Sequence, residues 1–311
     1  MKPAFSVIFL TTLIGAGQGL FLALFGTEVS LGAAALPALQ PLFLWGSLVA
    51  VVLSGLGLLA SFFHLGHPER AWRAVAMWRT SWLSREVIVL PLFLAGVVAW
   101  GGMHALQMPG TGLVGWVTVV LCLALFVCTA MIYASIRFLQ EWASPLTLLN
   151  YLLLGSASGF TLATVLAASI LPDLVRPYAL GAMLLTMAGL TSRAASLVRN
   201  AGLAPKSTLQ TAIGIKHPRI VQKAQGFMGG SFNTREFFHG KCIPWLRGVK
   251  WFFLLFAFAL PMLCLNLGLA TQSAAYLGLA FVLQYIGLLA ERWFFFAQAQ
   301  HPQNLYYQSI A

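Results

Sequence analysis

Gly112-Leu-Val-Gly-Trp-Val-Thr-Val-Val-Leu-Cys-Leu-Ala-Leu-Phe-Val-Cys-Thr-Ala-Met-Ile-Tyr-Ala-Ser135 runs for 24 residues without a charge. An α-helix rises about 1.5 Å per residue, so a run of this length spans the ~30 Å hydrocarbon core of a bilayer. Seven further stretches fit the same template: roughly 4–25, 40–63, 86–106, 146–170, 174–196, 249–270 and 274–297. Breakers separate them, among them Pro37 and Pro41, Pro109-Gly110, Pro145, Pro172 and Pro177. The link Thr271-Gln272-Ser273 is so short that the last two spans must be antiparallel neighbours. The composition agrees, with 59% of residues hydrophobic and 8% charged where a soluble domain carries about a quarter charged. A soluble globule, a disordered chain, a collagen and a disulfide-stapled secreted domain are all excluded. The expected fold is all-α: one integral membrane domain over residues 1–311, a bundle of eight transmembrane helices. The first apolar run is too long for a cleavable signal.

The cations orient the bundle. With alternating spans, one side receives the N-terminus with Lys2, Arg70, Arg73, Arg79, Arg85, Arg137, the ten Lys and Arg from Arg193 to Lys250, and Arg292. That is 17 of 18, with only Arg176 opposite. The positive-inside rule makes the rich side cytoplasmic, so both termini are expected on the cytoplasmic side of a bacterial inner membrane.

Residues 197–248 form a basic cytoplasmic loop. It carries Lys206, Lys216, Arg219, Lys223, Arg235, Lys241 and Arg247 against the single acid Glu236. Such an arm can rest on anionic membrane lipids, at about 1 kcal/mol per cation, or dock a peripheral protein. The stretch Gly226-Phe227-Met228-Gly229-Gly230-Ser231-Phe232 argues for shape-specific contact. Nucleic acid is not an expected partner, because topology already accounts for the charge. Gly15 and Gly19 form a GxxxG that reads as helix packing. Cys122, Cys128, Cys242 and Cys264 have no cluster-binding spacing and read as buried structural residues.

The chemically richest segment joins the second and third spans. Between His64 and Glu86 lie two His, two Glu, four Arg and three Trp. An interfacial belt explains most of the Arg and Trp singly. It does not explain His64 and Glu86, which fall at the facing tips of adjacent spans, where a carboxylate is expensive unless paired or functional. Such a pair suits proton exchange with a quinone: an imidazole near pKa 6.5 holds a carbonyl or gives a proton, and a buried glutamate relays protons. A topology-anchoring cluster and a transporter gate remain open readings of the same residues.

The string His64-Leu-Gly-x-Pro-x-Arg-Ala, followed by Ser81-Trp-Leu-Ser-Arg-Glu86, resembles the membrane-anchor subunit family of dimethyl sulfoxide reductase. Glu291-Arg292 with Phe294-Phe295-Phe296 loosely resembles that family's closing motif. The loop stretches Lys216-His217-Pro218-Arg219 and Asn233 to Phe238, with the tail His301-Pro302-Gln303-Asn304-Leu305-Tyr306-Tyr307, look like its sulfite dehydrogenase branch. The resemblance implies two partners on the cytoplasmic face, an iron–sulfur electron-transfer subunit and a molybdopterin catalytic subunit. Electrons would pass from a partner cluster to membrane quinone, ubiquinone or menaquinone, during sulfite oxidation to sulfate. A dimethyl sulfoxide reductase-type anchor would run the same site backwards as a quinol oxidase. The implied acid–base pair is His64 and Glu86. The quinone-binding set is His64, Arg73, Arg79, Trp82, Ser84 and Glu86, and the partner-docking set is His67, Arg70, Lys216, Arg219, Lys223, Arg235 and Lys241.

No haem is expected in this chain, since His64, His67, His104, His217, His239 and His301 all fall at span ends or in loops. No metal is expected either, because His64-x-x-His67 lacks a supporting carboxylate at helix spacing. Proton uptake from the cytoplasmic side makes transmembrane proton pumping unexpected. Arg85 and Glu86 are not expected to pair, since adjacent helical residues diverge. Asn150 and Tyr151 read as packing, Glu141 as solvated, and Glu291 with Arg292 as either a buried interhelical contact or an inner-face anchor. The alternative of another class, a secondary transporter, would place broken helices and polar residues near the midplane.

Overall fold

Eight helices long and apolar enough to cross a membrane stand among the described residues. The structure is a computed structural model that describes residues 1–32, 36–63, 65–221, 223, 237–302 and 304. In chain order the spans are α1 (Phe5–Leu31), α2 (Leu36–Phe62), α3 (Trp82–Ala105), α4 (Thr111–Ala134), α5 (Pro145–Ile170), α6 (Val175–Ala201), α7 (Ile243–Thr271) and α8 (Ala274–Ala297). A 3₁₀ helix over Pro68–Met77 fills the link from α2 to α3. Local chemistry starts the helices where the sequence provides caps. Ser81 accepts from the Ser84 amide at the head of α3, and Ser144 accepts from Leu146 beside Pro145 at the head of α5.

α1 is the axis of the bundle and touches α2, α4, α5 and α8. Its GxxxG does pack, and against a second one. A Cβ built on Gly19 would lie 2.4 Å from the Gly155 carbonyl oxygen, and one on Gly159 would lie 2.1 Å from the Gly19 carbonyl carbon. Lipid tails are as apolar as side chains, so close packing of this kind must supply the association that water supplies in a soluble core. Around the crossing, Phe21, Phe25, Phe43, Phe93 and Trp100 fill the half of the bundle away from the α1 N-terminus. Tyr133, Trp142, Tyr151, Phe295 and Phe296 fill the half near it.

α7 is not a uniform helix. Residues Leu255–Ala259 form a π-turn just before Pro261, where the missing amide leaves a carbonyl without its usual donor. Gly287 of α8 sits against this turn, with its would-be Cβ 2.2 Å from the Ala257 nitrogen. Side chains such as Leu113, Val120, Leu184 and Val198 face outward, as a lipid-facing surface requires. Cys242 departs from expectation: it is exposed at the start of α7, whereas Cys122, Cys128 and Cys264 are buried.

Gly159→Val should force α1 and α5 apart and cost about 3 kcal/mol, read as a lower thermal unfolding midpoint in detergent. Gly26→Ala, whose added methyl meets nothing within 4 Å, should leave the midpoint unchanged. Equal midpoints for the two variants would show that the crossing tolerates separation.

Candidate functional site

The cap at Ser81 sets the phase of α3, and phase decides which of three consecutive side chains enters the bundle. Ser84 and Glu86 turn inward and are buried. Arg85 turns to the surface, its guanidinium 4.2 Å above the Trp82 ring. Its Nε donates to the Trp78 carbonyl at 2.9 Å and its Nη2 to that of Arg79 at 2.8 Å. Arg85 therefore pins the loop and leaves Glu86 alone.

Glu86 accepts a short hydrogen bond from Thr129 Oγ1 of α4. It lines a cavity shared with Thr12 and Gln18 of α1, Tyr151 and Ser158 of α5, and Arg292 of α8. The cavity offers about 20 Å³ to water centres, room for about one water. Its lining mixes apolar walls such as Phe126 and Leu288 with the polar side chains named above, and it is too small for a quinone ring.

Beyond Arg292 lies a buried ion triad. Arg193 Nε of α6 sits 2.7 Å from Glu291 Oε1, and Arg292 Nε sits 3.2 Å from Glu291 Oε2. The Arg292 guanidinium also stacks 3.8 Å from the Tyr151 ring centre, while Arg193 lies near the rings of Phe253 and Phe294. The triad carries one net positive charge, and Arg292 lines the same cavity as Glu86. Glu291, shared between the two guanidinium groups, replaces part of the hydration these ions lose. Glu291 and Arg292 thus form a buried interhelical contact, and Tyr151 is part of the polar site as well as of the packing.

A second carboxylate was not legible in the sequence. Glu28 is buried because α1 continues to Leu31, past the residue 25 at which the apolar run was expected to stop. Its Oε2 accepts from Trp100 Nε1 at 2.7 Å, its Oε1 accepts from Thr111 Oγ1, and His104 Nε2 stands 3.5 Å away. Three helix ends are clamped there, at the opposite end of the bundle from Glu86. Arg193 was also missed as a site residue, since it reads as one more cation near a loop.

The remaining candidates are dispersed. His64 and Arg235 lie outside the described residues, as do residues 224–236 of the long loop. Trp82 is half-buried beneath Arg85. Arg73 and Arg79 are exposed, each over its own neighbouring tryptophan, Trp72 at 5.6 Å and Trp78 at 5.4 Å. The structure does not bring them to Glu86. His67 and Arg70 are exposed and flank Glu69, at 3.0 and 3.8 Å. Lys216, Arg219 and Lys223 are exposed on the loop. Lys241 lies 5.5 Å above the Trp245 ring, at the mouth of a groove on the side of the bundle. Glu141 is half-buried rather than solvated, and burial raises its pKa above the usual carboxylate value. Loop and tail meet where His301 stacks on Phe237 at 3.9 Å and Asn304 Nδ2 donates to the Phe237 carbonyl at 2.9 Å. No group of three or more metal-ligating side chains occurs among the described residues.

Residues 1–298 match the family model described as DMSO reductase anchor subunit (DmsC). The chain is also 55% identical to a subunit of the sulfite dehydrogenase of Allochromatium vinosum, over 325 aligned positions that cover all of both chains.

Glu291→Gln leaves two guanidinium groups buried side by side and should cost about 3–5 kcal/mol, measured as a loss of thermal stability. The double variant Arg193→Met/Glu291→Leu removes one charge of each sign and should lie closer to the wild type than Glu291→Gln does. The reverse order would show that the triad is not held together by its charges.

Proposed function

The chain belongs to the DMSO reductase anchor subunit family, and on that premise we propose that it is the quinone-reactive anchor of a three-subunit molybdopterin and iron–sulfur oxidoreductase that oxidises sulfite to sulfate. Sulfite as substrate of the catalytic partner rests on the full-length likeness to a sulfite dehydrogenase subunit. The observation that carries the quinone role is Glu86: a carboxylate buried in an apolar helix, one turn from its exposed end, with a single hydroxyl donor and a small cavity behind it into which Gln18, Tyr151 and Arg292 also reach.

The quinone accepts two electrons and two protons when it is reduced. The residues present fit the proton half of that task. Glu86 sits between the loop that precedes α3 and the cavity, so it can hold a proton at a carboxylate oxygen and pass it outward. Thr129 fixes the orientation of that carboxylate. A proton taken up from bulk water on the loop side restores the carboxylic acid, while Tyr151 and Arg292 line the cavity behind it. The cavity does not fit the ring, which we assign to the loop side of Glu86; the family resemblance gives His64 the role of hydrogen-bonding a carbonyl oxygen. Arg73 and Arg79 are exposed over Trp72 and Trp78, so contact with partner or lipid is the part we give them. The exposed 3₁₀ segment with His67 and Arg70, and the basic loop with Lys216, Arg219 and Lys223, suit docking of the iron–sulfur partner. That end of the bundle is the cytoplasmic one in this reading, since the cations gather there.

Glu86→Gln in the intact complex should lower quinone-linked sulfite oxidation by about 100-fold and leave dye-linked activity of the catalytic partner unchanged. His64→Gln should do the same. Unchanged quinone-linked turnover in both variants would remove the acid–base role from this pair.

A further inference from the structure

A groove on the lateral face of the bundle, between the start of α1, the start of α7 and the end of α8, has no part in the site described above. It measures about 560 Å³. Its walls are apolar, with Phe9, Phe252, Ile286 and Trp293 among them, and Lys2, Lys241 and His239 stand at its loop-facing end. Trp245 lies beneath the Lys241 ammonium.

His239 is the informative residue. It is 8% exposed, and its Nδ1 accepts the Lys241 amide at 3.0 Å. An imidazole nitrogen that accepts carries no proton, so in the neutral ring the proton sits on Nε2. Burial lowers the His239 pKa to about 4, which keeps the ring neutral at physiological pH. The Nε2–H donor is buried and has no partner. An orphaned donor in such a setting costs about 1–3 kcal/mol, so it calls for an acceptor oxygen in the groove. The head of α7 points the same way, because Cys242 gives no side-chain cap to its first amides, and uncapped helix N-termini attract anions.

The geometry points to a binding site for one anionic phospholipid, its phosphate held by Lys2, Lys241 and His239 Nε2–H and one acyl chain lying in the groove against Phe9, Phe252 and Ile286. Charge complementarity selects the occupant. Two ammonium groups and a neutral donor match a phosphodiester, whereas a neutral quinone needs only the donor. Basic pockets between helices near the headgroup level recognise acidic lipids in this manner. Lys241, which the sequence offers as a docking cation, thereby acquires a lipid partner.

The test uses the full-length chain in nanodiscs of phosphatidylcholine with one-tenth phosphatidylglycerol, followed by native mass spectrometry of the lipid retained in detergent. The wild type should keep one phosphatidylglycerol in preference to phosphatidylcholine. Lys2→Ala/Lys241→Ala, which alters only exposed side chains, should retain it about tenfold less. His239→Phe, which keeps a ring but removes the donor, should also retain less. Equal retention of the two lipids by the wild type, or equal phosphatidylglycerol retention by the wild type and the double lysine variant, overturns the proposal. Displacement of the bound lipid by equimolar decylubiquinone overturns it in favour of a quinone site; persistence of the lipid supports it.

Discussion

A charge inside a bilayer has no water to answer it, and the arrangement of this bundle follows from how each buried ion is answered instead. Arg193 of α6 and Arg292 of α8 share Glu291, and the positive charge left over faces Glu86 of α3 across a water-sized cavity. The triad joins α6 to α8 through charges that lipid cannot hydrate, and it borders the cavity onto which the candidate acid of α3 opens.

The two ends of the bundle treat carboxylates differently. Glu28 has a tryptophan, a threonine and a histidine around it, more partners than an exchangeable acid needs, and it holds three helix ends together. Glu86 has one hydroxyl partner and an adjoining cavity. The contrast is between a carboxylate held from three sides and one held from a single side.

The number and type of helices were legible because about 20 apolar residues cannot be anything else at this length. The glycine crossing was half legible: Gly15 and Gly19 announced a close approach, but only the fold shows that Gly155 and Gly159 receive it. Glu86 was legible because it breaks an apolar run near a cap. Glu28 was hidden because a helix ran on for six residues past the point where hydropathy suggested a stop. Arg193 was hidden because a cation near a span end looks the same in one dimension whether it faces a loop or a carboxylate. Arg73 and Arg79 are near Glu86 in sequence, and the fold exposes both, Arg73 on the 3₁₀ segment and Arg79 just after it.

The meeting of α1 with α5 also has a bearing on how the molecule is made. The interlocked backbones at Gly19 and Gly159 are separated by well over a hundred residues of chain, and ribosomes add roughly 5–20 residues per second. The first helix therefore waits on the order of ten seconds in the membrane before the helix that locks onto Gly19 is synthesised. During that interval its bare glycine face is open to any other small-residue helix nearby. Insertion machinery that shelters early segments until later ones emerge would suit this chain better than release of each helix as it is finished.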